Sequence, residues 1–247
     1  MSEKTVTANT ATRKANRILL LGAPGAGKGT VAKALVDRFG LTHLSTGDML
    51  RAAVAAGTSV GKLAQGFMSA GNLVPDEVMV RIISERVQQA DCRLADGTPR
   101  FLLDGFPRTM PQAAALDAEG LTPDLVLYLK VDDEVIVRRL SGRRSCPACG
   151  NPHHVEFAPP VVDHLCDRCN TPLVHRPDDH EGPIRRRLEA FKAMTGPLVE
   201  RYAPMLASFD ASQAPESVLK AVVHVLKGRV DALGLAQDRE PGAAPGA

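Results

Sequence analysis

Residues 22–30 read Gly-Ala-Pro-Gly-Ala-Gly-Lys-Gly-Thr. The apolar run Ile18 to Leu21 precedes them, and a helical pattern follows with apolar positions at Val31, Ala32, Leu35, Val36 and Phe39. A strand, a glycine loop and a helix in that order form a cradle for phosphate. Glycines let backbone N–H groups turn inward toward an anion, and the helix N-terminus adds the positive end of its dipole. Lys28 can then reach the β- and γ-phosphates. The general form of this loop places Ser or Thr directly after the Lys; here Gly29 intervenes and Thr30 follows.

A second constellation is built from cysteine. Cys146-Pro-Ala-Cys149 and Cys166-Asp-Arg-Cys169 are two C-x-x-C pairs with 16 residues between them. Each pair can sit on a tight knuckle and turn two thiolates toward one ion, and two knuckles give the tetrahedral sulfur set that suits Zn²⁺. Four protein ligands leave no open position, so the expected role is structural. A redox pair or two disulfides are the alternatives. Cys92 stands alone and reads as a small buried residue.

These residues need a scaffold. Phe101 to Leu103, Leu125 to Leu129 and Met205 to Phe209 read as further buried strands. Helical patterns separate them at Asp76 to Gln89, Pro111 to Glu119, Asp133 to Leu140, Gly182 to Tyr202 and Glu216 to Leu233. Strands alternating with helices imply an α/β fold with a parallel sheet covered on both faces. Two segments interrupt the rhythm. Residues 45–74 are strand-free and punctuated by glycines, and residues 142–179 are rich in Pro, Gly, Cys and His with no helical period. An insertion that long without regular elements is expected to be functional or stapled by metal.

The bulk properties exclude little. The chain has 247 residues, 44% hydrophobic and 23% charged, with a net charge of +2. That balance gives no general argument for nucleic acid or membrane, and no apolar run approaches the length of a membrane span. Residues 1–16 lack the apolar core of a signal peptide and read as a disordered tail, with a short organelle transit peptide as the alternative; residues 234–247 read as a flexible tail. Thiols grouped for metal point to a reducing compartment, and the expected location is cytoplasmic.

Three more motifs join the phosphate loop: Ser-Thr-Gly-Asp-Met-Leu-Arg at residues 45–51, Asp-Gly-Phe-Pro-Arg-Thr at residues 104–109, and Arg-Pro-Asp-Asp at residues 176–179. With these four motifs the chain resembles the adenylate kinases, nucleoside monophosphate kinases, in their long bacterial form with a zinc-bearing lid. The resemblance covers residues 17–230. It implies a P-loop NTPase-type core (17–44, 75–141 and 180–233), an NMP-binding helical insertion (45–74) and a zinc-ribbon-like lid (142–179). It also implies reversible transfer from ATP to AMP giving two ADP, with Mg²⁺ accompanying ATP, and a monomer.

The same resemblance assigns residues. Gly25, Ala26, Gly27, Lys28, Gly29 and Thr30 would bind ATP, together with Arg139, Arg143, Pro152, His153 and Gln213. Thr46, Arg51, Asn72, Leu73, Val74, Gly105, Phe106, Pro107, Arg108, Gln112, Arg176 and Arg187 would bind AMP. Lys28, Asp104, Arg108, Arg143, Arg176 and Arg187 would carry the chemistry, and Cys146, Cys149, Cys166 and Cys169 the zinc. Asp104, at the carboxyl end of an expected strand, is placed to hold the water shell of Mg²⁺. Arg139 is expected to lie flat on the ATP adenine, and Arg143 and Arg176 sit at the two ends of the lid. His153 stands where the family usually has a Tyr. Thr109 replaces the Asn of pyrimidine-specific relatives, which favours AMP.

Some readings stay double. Ser45-Thr46 with Asp48 also reads as a helix cap, as do Asp178 and Asp179. The donor could be GTP, or the chain could be a zinc-ribbon module that binds nucleic acid. Against the latter, the insertion has few aromatics and no basic excess.

Overall fold

The computed structural model describes residues 14–70, 72–227 and 229–230. The expected tails at 1–13 and 234–247 lie outside them. Ala15 is buried and Asn16 accepts the backbone N–H of Phe101, so these two residues belong to the fold rather than to a tail.

In chain order the elements are β1 (Arg17–Gly22), α1 (Lys28–Phe39), β2 (Thr42–Ser45), α2 (Thr46–Ala55), α3 (Ser59–Ala70), α4 (Asp76–Val87), β3 (Phe101–Asp104) and α5 (Met110–Ala118). There follow β4 (Leu125–Lys130), α6 (Asp133–Ser141), β5 (Arg143–Ser145), β6 (Pro152–His154), α7 (Glu181–Ala190), α8 (Pro197–Arg201), β7 (Leu206–Asp210) and α9 (Pro215–Leu226). Five strands form one parallel sheet in the order β2-β3-β1-β4-β7. This is the P-loop NTPase-type sheet flanked by helices.

Period-two alternation along β1 divides the core. Ile18 and Leu20 pack with Leu127 and Leu129 against Val31 and Leu35 of α1 and Val222 and Leu226 of α9. Leu19 and Leu21 pack with Phe101, Leu103 and Val126 against Met79 and Ile83 of α4, Ala113 and Leu116 of α5 and Leu198 of α8. Both faces are covered, which is why these strands read as unbroken apolar runs. A smaller cluster of Ala23, Ile136, Leu140, Ile184 and Leu188 ties α6 to α7 beside the glycine loop.

Three expectations need correction. β2 was not visible in the sequence: it has four residues, of which only Leu44 is buried, so there is no apolar run to see. The helix expected over Gly182 to Tyr202 is α7, a π-helical turn at Phe191–Thr195, and then α8. Gly196-Pro197 explains the break, because Pro supplies no N–H for a continuing α-ladder. Residues 142–179 are not devoid of regular structure; β5 and β6 pair antiparallel, and Ser145 bridges Val174.

The helical insertion is closed by one tight crossing. Thr58 caps α3, its hydroxyl accepting Gly61 N–H at 3.0 Å and donating to Ala53 O at 3.2 Å. Gly61 sits directly on that carbonyl, and a Cβ there would overlap Ala53 O. Gly61→Ala should therefore destabilise the α2–α3 pair by about 1–3 kcal/mol, outweighing the gain in helix propensity. Amide hydrogen exchange would show faster opening across residues 46–70, with the sheet unchanged; equal or slower exchange would contradict the crossing.

Candidate active site

Strand register brings the motifs together. Asp104 at the end of β3 pairs with Leu20 of β1 on one side and with Ser45 of β2 on the other. The glycine loop, the 45–51 motif and the 104–109 motif thus leave the sheet at neighbouring carboxyl ends, where open α/β sheets place their ligands. Gly25 and Gly27 turn the loop at φ 80° and 93°, delivering the chain into α1 with Gly27 as its N-cap. Lys28 folds back over the loop, donating to Gly22 O at 2.9 Å and Ala23 O at 3.0 Å.

One cleft is lined by Gly22, Lys28, Thr46, Arg51, Arg108 and Arg187 on its polar side. Leu50, Met68, Val74 and Met79 form an apolar wall, and Asn72, Leu73, Gly105, Pro107 and Gln112 complete it. Thr46 is buried, its hydroxyl donating to Gly105 O at 3.0 Å; Ser45 caps α2 by accepting Asp48 N–H. Arg51 pairs with Asp48. Arg108 donates Nε–H to Gly105 O at 2.7 Å, and its own carbonyl accepts the Thr195 hydroxyl at 2.8 Å. Phe106, joined to Pro107 by a cis bond, is buried and packs into the core beneath the cleft.

The two ends of the 142–179 insertion and helix α7 close the other side. Asp179 is fully buried and binds Arg143 through both oxygens, at 2.6 and 2.7 Å. Arg187 donates to Asp178 O at 3.0 Å and pairs with its carboxylate at 2.9 Å. Arg186 donates to Ala70 O at 2.8 Å, linking α7 to the end of α3.

Six cations, Lys28, Arg51, Arg108, Arg143, Arg176 and Arg187, lie close enough to act on one another, and Asp48, Asp104, Asp178 and Asp179 answer them. Burial foremost brings Lys28 down to about 8, with Asp104 opposing and Arg108, Arg187 and Arg143 adding. Burial, then Arg187, brings Arg108 to about 10. Burial, then Arg51 and Arg143, brings Arg176 to about 10. Arg187 is lowered chiefly by burial as well. A desolvated pocket with surplus positive charge is arranged for a polyanion.

The four cysteines converge. Their sulfurs all lie within 4.8 Å of one another, with Cys146–Cys169 at 3.3 Å, Cys149–Cys169 at 3.5 Å and Cys149–Cys166 at 3.6 Å. These are too long for disulfides and suit a tetrahedron with metal–sulfur bonds of about 2.3 Å. The two knuckles are built alike. Gly150 N–H donates to Cys146 O and Asn170 N–H to Cys166 O, and both closing residues have positive φ, 71° and 55°. The donor set fits a zinc-ribbon lid.

Other expected contacts are placed elsewhere. Arg139 donates to Ala211 O at 2.8 Å and Ser212 O at 3.4 Å. Gln213 is exposed, its amide donating to Asp210 at 3.2 Å. Pro152 is exposed on β6. His153, however, is buried within the insertion, 3.1 Å from Asn151 Nδ2 and facing Asp167. Alternation along β6 turns it inward. Arg138 pairs with Glu156 and lies over the Phe157 ring at 5.2 Å.

Three residues escaped the sequence reading. His43 approaches Asp104 at 3.3 Å, Thr195 supports Arg108, and Asp76 accepts from both Thr109 (2.8 Å) and Gln112 (2.7 Å). Only Asp76 left a signal, as an acidic residue following Pro75 at a helix start.

The adenylate kinase family model matches residues 20–206. The adenylate kinase of Citrifermentans bemidjiense is 46% identical over 216 residues, covering 85% of this chain and 99% of its own length. The adenylate kinase of a Geobacter species is 48% identical over 207 residues, covering 81% of this chain and 94% of its own. A cleft walled by cations, beside a four-cysteine insertion, thus sits in a sequence matched along most of its length: the chain belongs to the adenylate kinase family.

Proposed function

We propose that this chain transfers a phosphoryl group reversibly between Mg·ATP and AMP, giving two ADP. The observation that carries the reading is the surplus of cations in one desolvated cleft at the carboxyl ends of β1 and β3. The loop at residues 25–30 and Lys28 hold the donor phosphates. Arg108, Arg176 and Arg187 grip the acceptor phosphate and, with Arg143, the group in transit. Thr46, Arg51, Asn72, Leu73, Val74 and Gln112 seat AMP against the apolar wall. Arg139 and the backbone near Gln213 face the donor base.

The AMP phosphate is ionised at neutral pH, so the reaction needs no strong base. Positioning and charge stabilisation supply the rate. Asp104, held from one side by His43, is the carboxylate suited to hold the waters of Mg²⁺. Mg²⁺, when bound, neutralises charge on the donor phosphates. Residues 45–74 serve as the acceptor-binding unit and 142–179 as the lid, with Zn²⁺ as its structural ion and a monomer in the cytoplasm as the working form. No helix among the described residues is long and apolar enough to cross a membrane.

Mg·ATP offered AMP, GMP, CMP and UMP in turn should yield ADP rapidly with AMP alone, and Mg·GTP should be the poorer donor. Lys28→Ala should lower turnover by orders of magnitude while the melting transition stays near that of the parent. Near-normal turnover in that variant removes the assignment.

The lowered pKa of Lys28 gives a pH dependence. A bound polyphosphate favours the charged amine and raises its pKa, so the complex holds the proton to higher pH than the free protein. ATP affinity should be full below about pH 8 and fall by up to about tenfold per unit above it. Titration calorimetry should show proton uptake approaching one per nucleotide at pH 9. A flat affinity across pH 8 would show that the Lys28 amine is not depressed in the empty cleft, and Lys28→Met should abolish the dependence.

Stripping the thiolate-bound metal should open residues 142–179 to protease while the sheet keeps its amide protection. Unchanged resistance of that segment after metal loss would exclude a metal-dependent lid.

A further inference from the structure

Asp76, the first residue of α4, touches neither the phosphate loop nor the arginines. We propose that Asp76 is the positioning residue that locks the Gln112 amide in one orientation and so selects a 6-aminopurine over a 6-oxopurine as acceptor. This rests on the reading above in which Gln112 lies along the acceptor base.

Gln112 is 2% exposed. Its Nε2 donates to Asp76 Oδ1 at 2.7 Å, and its Oε1 accepts the backbone N–H of Arg108 at 2.7 Å. The two ends of an amide have almost the same shape. Between ambivalent partners a Gln can turn over and present the opposite pattern. Neither partner here is ambivalent. A backbone N–H only donates, and an ionised carboxylate only accepts. A reversed amide would set N–H against N–H and oxygen against oxygen, both out of water, where unmade hydrogen bonds cost most.

The carboxylate is itself held. Its Oδ2 accepts the Thr109 hydroxyl at 2.8 Å, and that hydroxyl oxygen accepts Gln112 N–H at 3.3 Å as the cap of α5. Asp76 therefore cannot swing away to permit the reversal without also giving up the Thr109 hydroxyl.

Each end of the locked amide keeps one site in reserve, an N–H and a lone pair. Adenine presents an acceptor at N1 and a donor at N6, which match that N–H and that oxygen. A 6-oxopurine presents N1–H and O6, which meet like with like. Selectivity of this kind comes from the mispaired alternative as much as from the matched one. The hydroxyl of Thr109 thus serves the pocket indirectly, through the carboxylate that it holds.

The test is kcat and KM for AMP and for IMP with Mg·ATP, in the parent and in Asp76→Asn. Asn at 76 keeps the shape but can offer either end of its own amide, which removes one of the two fixed partners that oppose reversal and leaves the Arg108 N–H as the other. The AMP-to-IMP ratio of kcat/KM should fall at least about tenfold, through a raised KM for AMP and an improved kcat/KM for IMP. A merely structural role would weaken both acceptors together, and an unchanged ratio overturns the proposal.

In the nitrogen-labelled parent without nucleotide, the Gln112 side-chain amide protons should exchange with water far more slowly than those of exposed glutamines. Exchange at the exposed rate overturns the lock even where Asp76→Asn does not fold. If the parent transfers nothing to AMP, the acceptor-site reading fails and the proposal with it. If it does transfer and the ratio does not move in Asp76→Asn, Asp76 alone is removed.

Discussion

The site depends on crowding like charges in a place that water reaches poorly. Lys28, Arg51, Arg108, Arg143, Arg176 and Arg187 repel one another, and burial makes Lys28, Arg108, Arg176 and Arg187 costlier to keep charged. Such an arrangement is unfavourable by itself and survives because the surrounding fold over-determines it. The parallel sheet with two apolar faces carries the load. A polyanion relieves the repulsion, so ligand binding is coupled to the electrostatics of the whole cleft rather than to one contact. The same desolvation that weakens the empty site strengthens every charge interaction once phosphate is present.

The four-cysteine insertion solves a different problem. Residues 142–179 contribute few buried apolar side chains; Cys146 and Cys166 are among them, while Val155, Phe157, Val161 and Val162 stay exposed. A segment like this cannot offset its ordering entropy by burial. Two matched knuckles that converge four sulfurs replace that missing core. The rigidity matters because both ends of the insertion feed the cleft: Arg143 opens it on β5, and Arg176 and Asp179 end it. The buried Asp179 ties the first end to the last through Arg143, so the base of the insertion is held as one piece.

Much of this was legible in the residues. Glycine spacing before Lys28 and cysteine spacing at 146–169 constrain backbone and ligand geometry directly, so both could be read locally. The strands with two buried faces announced themselves as apolar runs. β2 did not, because one buried Leu44 makes no pattern, and with it His43 was missed. The partner networks were invisible for the same reason: Asp76 and Gln112 are 36 positions apart and meet only through tertiary packing. His153 is a different case. Its place in the motif suggested a base contact, whereas alternation along a three-residue strand turned it inward.

The way the cations are anchored explains how the field keeps its strength. Lys28, Arg108 and Arg139 are held by neutral backbone carbonyls, of Gly22 and Ala23, of Gly105, and of Ala211. A carbonyl fixes a side chain without cancelling its charge. Arg143 and Arg187 are instead held by the carboxylates of Asp179 and Asp178, which fix and partly neutralise them. Lys28 and Arg108 therefore keep charge beside the glycine loop that no direct ion pair cancels, whereas Arg51 pairs with Asp48 and the charge at the base of the insertion is compensated. Each guanidinium commits only part of its donor fork to the protein and keeps the rest for a ligand. Side chains already held in place need little reorganisation when charge develops, which is the condition under which fixed donors accelerate a transfer.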